Sequence, residues 1–248
     1  MSNPYFRFKQ FTIIHDRCAM KVTTDSCLFG AWCAVGSHQL AVGKEFLNMK
    51  HAVLDIGTGS GLLSLMYVQQ NPTVDIDAVE LDEHAAAQAT ENVGASPWPS
   101  SVTVVHQNIK DFEPGYLFDV IISNPPFYEQ QLQSNDAKKN SAHHSSQLSL
   151  EALFETVNRL LKTDGHFFIL LPGYRTDEVI AIAGMFSLFP AKKVMVKQTP
   201  QHGYFRTMIL FGRQNEAAIT EQEIVIETER GKYSDAFITL LKDYYLHL

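Results

Sequence analysis

Apolar and polar positions follow two alternating patterns from residue 51 onward. The run "HAVLDIG" is short and apolar and ends in glycine, which predicts a buried strand. The next segment, "SGLLSLMYVQQN", carries Leu62, Leu65 and Met66 at helical spacing, which predicts a helix. Because the alternation continues to residue 186, it predicts parallel strands with helices on both faces, the α/β class.

The other predicted elements follow the same two patterns. Apolar runs predict four more strands, at "VDIDAVELD", "SVTVVHQN", "FDVIISN" and "GHFFILLP". Helical spacing predicts helices at "DEHAAAQATENV", "SLEALFETVNRLLK", "RTDEVIAIAGMF" and "KYSDAFITLLKDYYL". Ser149 stands where an N-cap is expected. The runs "KKVMVKQ" and "TMILFGR" predict an antiparallel pair of strands.

The chain shows no linker and no internal repeat, so we expect one domain over residues 1–248. Its parts are an N-terminal segment (1–50), a core of strands and helices (51–213) and a C-terminal strand and helix (214–248). The polar stretch from Gln130 to Gln147 predicts a long loop, which in a compact domain is usually functional or mobile. It begins just after a strand end, where open α/β sheets bind ligands.

Composition and cysteine content limit the class of protein. Of 248 residues, 45% are hydrophobic and 19% are charged, which is enough apolar material for a sizeable core. No apolar run is long enough to span a bilayer and "MSNPYFRFKQ" has no signal-peptide core, so we expect a cytoplasmic protein. Cys18, Cys27 and Cys33 form no Cys-x-x-Cys pair and no histidine lies at ligand spacing, so we expect reduced thiols and no metal.

The charge is unevenly distributed along the chain. The net charge is −7, which by itself argues against a nucleic-acid partner. The acid is concentrated in residues 51–130, whereas residues 1–50 and 131–213 carry an excess of lysine and arginine. Nucleic-acid binding requires a local basic face rather than a basic total, so such a partner stays possible. Charge alone favours an ordinary solvated surface.

A glycine-rich loop, "LDIGTGSGLLS", follows the first core strand. Glycines at 57, 59 and 61 allow a tight turn and a close approach of a ligand to the backbone. A nicotinamide or flavin motif would place its third glycine at position 62, where this chain has Leu62. Asp55 would repel a pyrophosphate but suits a cationic amino group, which points to S-adenosyl-L-methionine. A plain tight turn is the alternative.

The next two strand ends carry further polar candidates. Glu80 falls where an acid can accept both hydrogen bonds of a ribose diol, although a solvated acid is the alternative. Asn108 is suited to an adenine amino group, with Ile109 packing on the ring. The ordered set of Asp55, the glycine loop, Glu80 and Asn108 is more specific than any single member.

The stretch "FDVIISNPPFYEQ" ends a core strand with an amide, two prolines and an aromatic ring. The Asn124 side-chain oxygen and the Pro125 carbonyl can accept the two hydrogens of a planar amine, and Phe127 can stack on the ring that carries it. Catalysis would then consist of positioning and electrostatics, with no strong base before methyl transfer. A simple turn is the alternative for the motif taken alone.

Together these motifs resemble the amino-methyltransferases with an Asn-Pro-Pro-Phe/Tyr motif. Three branches share it: adenine N6-methyltransferases acting on nucleic acid, guanine methyltransferases acting on ribosomal RNA, and release-factor glutamine methyltransferases. The start "FRFKQFTIIHDRCAMKVTTDSCLFGAW" resembles the tRNA(Val) adenine-37 N6-methyltransferase family, in which F-x-F-K-x-F, MKV-x-TD and L-x-GAW recur. The resemblance covers nearly the whole chain.

The resemblance implies S-adenosyl-L-methionine as cofactor and adenosine 37 of tRNA(Val) as substrate. It implies a class I methyltransferase (Rossmann-like) fold, with a mainly parallel seven-stranded sheet and an antiparallel strand at the edge. The residues implied to bind the cofactor are Lys21, Thr24, Asp25, Phe29, Gly30, Asp55, Gly57, Gly59, Gly61, Glu80, Asn108 and Ile109. Those implied to hold the base are Asn124, Pro125 and Phe127. The family often has an Arg-His pair in the following loop, where this chain has His143-His144.

Several alternatives stay open. The same chemistry could act on a glutamine amide or on ribosomal RNA, and a binding module that has lost the methyl donor is a different class. A nicotinamide oxidoreductase fits least well, because Leu62 breaks its motif. We expect a monomer that contacts tRNA and no membrane. Candidate phosphate contacts are Arg7, Lys9, Arg17, Lys138, Lys139, Lys192, Lys193, Lys197 and Arg206.

Overall fold

The computed structural model describes residues 3–41, 51–126, 148–215 and 218–248. The strands are β1 (Tyr5–Arg7), β2 (Thr12–Ile14), β3 (His51–Ile56), β4 (Val74–Glu80), β5 (Val102–His106), β6 (Phe118–Ser123), β7 (Leu161–Pro172), β8 (Phe189–Lys197), β9 (Tyr204–Gly212), β10 (Thr220–Val225), β11 (Glu227–Glu229) and β12 (Lys232–Tyr233). The helices are α1 (Thr24–Ala41), α2 (Leu62–Gln70), α3 (Glu83–Gly94), α4 (Leu150–Leu160), α5 (Thr176–Met185) and α6 (Asp235–Leu241). Every strand and helix predicted from the apolar patterns is present, but the C-terminal helix is shorter than predicted. Lys232 and Tyr233 pair as β12, and the helix ends at Leu241.

One sheet of eight strands, in the order β10-β8-β9-β7-β6-β3-β4-β5, forms the centre of the described structure. The α/β class and the mainly parallel sheet are confirmed, but two predicted details are wrong. The antiparallel strand, β9, lies inside the sheet between β8 and β7 rather than at its edge. The strand count is eight rather than seven because β10 adds to β8 in parallel. An apolar run carries no information about which neighbour it pairs with.

The register of the parallel strands aligns the predicted site residues. Asp55 on β3 lies beside Ala78 of β4 and beside Ile122 of β6. Glu80 and Asn124 each come two residues later on those neighbouring strands, so they flank the start of the glycine loop. All of these chain segments leave the sheet at the same edge, its carboxyl edge, because parallel strands end together.

The two faces of the sheet pack into separate apolar clusters. One cluster joins α1, α2 and α6 to β1, β2 and the sheet, and its largest buried side chains include Phe8, Phe29, Phe237 and Tyr244. Because it contains residues from both ends of the chain, the N- and C-terminal segments pack together. The other cluster joins α4 and α5 to the opposite face, where Phe154, Phe167 and Phe211 meet edge to face and in parallel stacks.

Local hydrogen bonds explain where two of the helices begin. The Ser149 hydroxyl accepts from the Ala152 N–H at 3.2 Å, which confirms the predicted N-cap of α4. At the start of α1, Thr23 Oγ1 accepts from the Ser26 N–H and Ser26 Oγ accepts from the Thr23 N–H, a reciprocal cap. The cap fixes the start of α1 relative to the segment before it.

Two further sequence predictions can be compared with the described residues. All three cysteines are buried thiols, as expected. None of the described helices is both long and apolar enough to cross a bilayer.

Gly30 sets the distance between α1 and α2. A Cβ at this position would lie 2.7 Å from Met66 Sδ, 3.2 Å from Met66 Cβ and 3.3 Å from Leu63 Cδ2. We expect Gly30→Val to lower the free energy of unfolding by about 2 kcal/mol through overpacking, measured by urea denaturation. Gly184→Val is the matched control, because Gly184 lies in α5 with open space around its Cβ. Equal stability of the two variants would contradict the prediction.

Candidate functional site

The glycine loop turns tightly at the carboxyl end of β3. Gly57, Gly59 and Gly61 have φ values of 71°, 58° and 81°, a left-handed backbone that side chains rarely adopt. A Cβ at Gly57 or Gly59 would meet no atom within 4 Å, so the backbone there faces open space. At Gly61, by contrast, a Cβ would lie 3.6 Å from the Cβ of Ala89 on α3. The loop therefore presents bare backbone on one side and packs on the other.

The Asp55 carboxylate lies directly below this loop and is fully buried. Its Oδ2 atom accepts hydrogen bonds from Thr58 Oγ1 at 2.6 Å and from Ser64 Oγ at 2.7 Å. Its Oδ1 atom is buried and has no hydrogen-bond partner among the described residues. Burial raises the pKa of Asp55 to about 6, while the two hydroxyl hydrogen bonds lower it and the Glu80 charge raises it. A buried carboxylate oxygen without a partner is costly and suits a cationic ligand.

Glu80 joins the glycine loop to the end of β4. Its Oε2 atom accepts from the Gly59 N–H at 2.8 Å, and Oε1 accepts from the N–H groups of Leu81 and Asp82, both at 2.9 Å. The carboxylate is half-buried and lies at the edge of the site. Its hydrogen bonds hold the loop to the neighbouring strand, at the position where the sequence predicts the ribose.

Asn108 and Ile109 lie at the end of β5. The Asn108 side-chain oxygen accepts from the Lys110 N–H at 3.1 Å and caps the short helical turn Ile109–Asp111. Ile109 is 7% exposed and belongs to the apolar cluster on the α4 and α5 face. The adenine contact predicted for both residues stays a prediction.

The Asn-Pro-Pro motif leaves the end of β6 beside the glycine loop. Ser123 Oγ donates to the Ile56 carbonyl at 2.9 Å and ties this strand end to β3. Asn124 is half-buried and Pro125 is buried. Phe127, predicted to stack on the target base, lies outside the described residues. The loop 130–147, with His143, His144, Lys138 and Lys139, also lies outside them.

The N-terminal segment reaches the same edge of the sheet. Lys21 Nζ donates to the carbonyls of His15 at 2.7 Å, Asp16 at 3.2 Å and Cys18 at 3.1 Å, so it closes the chain into a compact loop. Burial raises the pKa of the Cys18 thiol to about 11, and the nearby Glu80 carboxylate adds to the shift. The loop thus lies next to the residue predicted to bind the ribose, and Lys21 holds the loop together.

The other four N-terminal site predictions fall at the start of α1. Thr24 begins the helix, and Asp25 Oδ2 accepts from Arg206 Nε of β9 at 2.7 Å. Phe29 is fully buried beside Trp32, and Gly30 packs on α2 as described above. The structure therefore brings Thr24 and Asp25 to the carboxyl edge, whereas Phe29 and Gly30 pack inside the core.

Sequence reasoning missed three residues that shape the site. Thr58 and Ser64 bind the Asp55 carboxylate, and the buried Asn92 side chain joins three segments. Asn92 accepts from the Ile14 N–H at 3.0 Å and donates to the carbonyls of Ile14 at 2.7 Å and Ser60 at 2.8 Å. Hydroxyls three and nine residues after a strand-end acid could have drawn attention to Thr58 and Ser64. No local pattern points to Asn92, because its contacts lie 78 and 32 residues away.

Most of the described basic candidates for phosphate contact already have acidic partners. Arg17 pairs with Glu91, Lys193 with Glu221 at 2.7 Å, Lys197 with Glu223 at 2.9 Å and Arg206 with Asp25 at 2.7 Å. Lys9 donates to the Lys242 carbonyl. A phosphate would have to compete with these partners, so these five cations are weaker candidates than their sequence positions suggested.

Known proteins that resemble this chain in sequence are methyltransferases. The methyltransferase small domain model matches residues 35–172. A tRNA1(Val) (adenine(37)-N6)-methyltransferase of Bacteroides thetaiotaomicron is 41% identical over 249 residues and is aligned over 100% of both chains. The sequence resemblance therefore extends over the whole chain.

Two solved structures share the fold at low sequence identity. A predicted O-methyltransferase from Agrobacterium tumefaciens matches 88% of this chain and 95% of its own, with a TM-score of 0.62 and 14% identity. A protein from Listeria monocytogenes assigned to the class I S-adenosylmethionine-dependent methyltransferases matches 83% of this chain and 68% of its own, with a TM-score of 0.61 and 13% identity. The chain thus has the class I fold and belongs to the methyltransferase small domain family, among the tRNA1(Val) (adenine(37)-N6)-methyltransferases.

Proposed function

We propose that this protein methylates the exocyclic N6 amine of adenosine 37 in tRNA(Val), with S-adenosyl-L-methionine as methyl donor. The observation that carries the proposal is the placement of two groups on adjacent strands. A buried carboxylate oxygen without a partner ends β3, and an amine-binding Asn-Pro-Pro motif ends β6. A cation and a planar amine would therefore meet at the same edge of the sheet.

The residues present fit the methyl donor. When bound, S-adenosyl-L-methionine supplies a methyl group activated by a sulfonium. Asp55 Oδ1 would accept a hydrogen bond from the amino group, because that oxygen is buried and lacks another partner. The bare backbone at Gly57 and Gly59 leaves room for close approach, and Glu80 would accept from the ribose hydroxyls. Asn108 and Ile109 would contact the adenine.

Glu80 can bind the ribose without releasing its present partners. Its Oε2 atom accepts from the Gly59 N–H in the structure, and a carboxylate oxygen can accept a second hydrogen bond. The carboxylate can therefore bind the ribose and continue to hold the glycine loop. The Lys21-closed loop would then cover the same end of the site, with Thr24 and Asp25 beside it.

On the acceptor side, the chain's own groups would position the amine. Asn124 Oδ1 and the Pro125 carbonyl would each accept one N–H, which directs the nitrogen lone pair along the remaining direction. Pro125 has a fixed φ, and the following Pro126 restricts its ψ to the extended region, so the carbonyl direction is preset before the base arrives. The Ser123 hydrogen bond to β3 would keep this strand end at a constant distance from the glycine loop. Phe127 would stack on the base.

This arrangement requires positioning rather than a strong base. The amine of adenine is a weak nucleophile because its lone pair is conjugated with the ring. Two acceptors and a stacked ring would hold it in line with the methyl group, and the proton would leave after the transfer. Adenosine 37 lies next to the anticodon in a single-stranded loop, so it can enter the pocket with little loss of base pairing.

A second substrate class has the same local chemistry. A glutamine side-chain amide also presents a planar nitrogen with two hydrogens, so Asn124 and Pro125 could accept it equally well. The 41% sequence identity to a tRNA-modifying enzyme over the full chain supports tRNA as the substrate. The substrate assay below therefore includes the competing acceptors.

A methyl-transfer assay tests the reaction and its acceptor. With radiolabelled methyl donor, we expect label to enter a tRNA(Val) transcript and to be recovered as N6-methyladenosine. A transcript with guanosine at position 37 should receive none. Asn124→Ala should lower the turnover number about 100-fold or more, because it removes an acceptor that positions the reacting nitrogen. Binding of S-adenosylhomocysteine should be retained.

Asn158→Ala is the matched control for this variant. Asn158 lies on α4, where its exposed side chain accepts from Arg213 at 2.7 Å. Arg213 also donates to the Leu161 carbonyl at the start of β7, so this contact lies at the amino edge of the sheet, opposite the candidate site. The Asn158→Ala variant should methylate at the wild-type rate. Label that enters only a release factor or ribosomal RNA would reject the proposed substrate, and unchanged turnover of Asn124→Ala would reject the proposed base site.

The buried charge of Asp55 makes the stability of the protein depend on pH. Burial raises its folded-state pKa to about 6, above the ordinary value of 3.8, so the folded protein takes up this proton before the unfolded chain does. The ionised carboxylate therefore costs stability above pH 6, and that cost diminishes as the pH falls towards 4. We expect Asp55→Asn to gain stability relative to wild type at pH 8, and this gain to be about 1.5 kcal/mol smaller at pH 5.

Chemical denaturation of both proteins at the two pH values measures this difference. Asp164→Asn, at an exposed position, is the matched control and should show no change in its relative stability between pH 8 and pH 5. A pH-independent difference between Asp55→Asn and wild type would contradict the prediction.

A further inference from the structure

Two hydroxyl groups converge on one oxygen of the Asp55 carboxylate. Thr58 comes from the glycine loop and Ser64 from the first turn of α2, and both donate to Oδ2 at 2.6 and 2.7 Å. The two hydroxyl oxygens lie 3.4 Å apart. All three side chains are buried, so water does not compete for these bonds. The other carboxylate oxygen, Oδ1, has no partner in the described structure.

We infer that Thr58 and Ser64 are positioning residues that aim Asp55 Oδ1 at the amino group of the methyl donor. The inference rests on the proposed function. It adds two residues that occupy Oδ2 of Asp55 and so leave Oδ1 as the oxygen that accepts from the amino group. Neither residue touches the donor in this scheme. Each acts through Asp55.

Geometry supports this role more strongly than ordinary loop packing does. A carboxylate can rotate about χ2, and two donors on the same oxygen remove that freedom. Had each hydroxyl bound a different oxygen, neither buried oxygen would lack a partner, and a cation would gain less by binding either one. Thr58 and Ser64 also come from different elements, so the rotation of Asp55 is coupled to the placement of the loop relative to α2.

The electrostatic surroundings make these hydroxyls important at neutral pH. The charged or titratable groups that act on Asp55 are Glu80 on β4, whose charge opposes ionisation, and Cys33 on α1, whose pKa is raised by burial and by Asp55. No described basic side chain pairs with Asp55. The two hydroxyl hydrogen bonds are therefore the largest interactions that favour the ionised carboxylate, and the backbone N–H of Ser64 adds a smaller contribution. An ionised carboxylate binds an ammonium far better than a neutral one.

The test compares variants that remove or keep a hydroxyl. Thr58→Val and Ser64→Ala each delete one hydrogen bond with little change of shape, whereas Thr58→Ser keeps it. Ser96→Ala is the matched control, because the buried Ser96 hydroxyl donates to the Val93 carbonyl away from Asp55. Thermal unfolding of all four variants checks that each remains folded.

The first readout is the titration of the Asp55 carboxyl carbon by NMR in the ligand-free protein, assigned with Asp55→Asn. We expect a wild-type midpoint at about pH 6 and a midpoint about one pH unit higher in Thr58→Val and in Ser64→Ala. Thr58→Ser and Ser96→Ala should titrate like wild type. An unchanged midpoint in Thr58→Val and Ser64→Ala would overturn the assigned hydrogen bonds.

The second readout is the affinity for S-adenosylhomocysteine, measured by calorimetry from pH 5.5 to pH 8. Thr58→Val and Ser64→Ala should bind about tenfold more weakly at pH 7, and the pH at which affinity is half lost should rise with the NMR midpoint. Thr58→Ser should restore both values. If wild type binds S-adenosylhomocysteine and every variant binds it with the wild-type affinity, this inference is overturned but the proposed function is not. A wild type that does not bind would overturn the inference and the proposed function together.

Discussion

A carboxylate with no exposure to solvent, that of Asp55, lies near the carboxyl end of β3, and the groups around it converge on that charge. An isolated buried carboxylate is unfavourable, so the fold must supply donors to it. Thr58 does so from the glycine loop and Ser64 from α2, at 2.6 and 2.7 Å. The turn after β3 and the start of α2 are therefore placed relative to one another by the Asp55 charge. Oδ1 has no hydrogen-bond partner among the described residues, so its donor must come from a ligand.

Parallel register converts this local arrangement into a site. Because Asp55 aligns with Ala78 and Ile122, Glu80 and Asn124 emerge on either side of the glycine loop. Glu80 holds the loop through the Gly59 N–H, and the Ser123 hydroxyl holds the end of β6 to β3. Side chains far apart in the chain thus share one edge, and hydrogen bonds between neighbouring strand ends set their separation.

Two further contacts join the N-terminal segment to this edge. Asn92 bonds to β2 and to the glycine loop at once, and Lys21 closes the chain around three carbonyl oxygens. Both side chains are polar, and their hydrogen bonds go to backbone groups of the protein itself. The basic residues predicted to contact phosphate are also bound within the protein, since four of them pair with its acidic side chains. Candidate RNA contacts chosen by charge alone therefore overestimate the number of free cations.

The sequence by itself determined the class of fold and the chemistry of the strand ends. Apolar periodicity is a local property, so it located the elements, and Asp55, the glycines, Glu80 and Asn124 were recognisable from residue type and spacing. The order of the strands could not be recognised in this way, because pairing depends on contacts between distant residues. The sequence therefore placed the antiparallel strand at the edge of the sheet, whereas β9 lies between β7 and β8. The tertiary structure alone showed that both hydroxyls bind one oxygen of Asp55, that Asn92 links three segments and that Phe29 and Gly30 pack in the core. Each of these facts depends on where a side chain points and on what surrounds it, which no local pattern encodes.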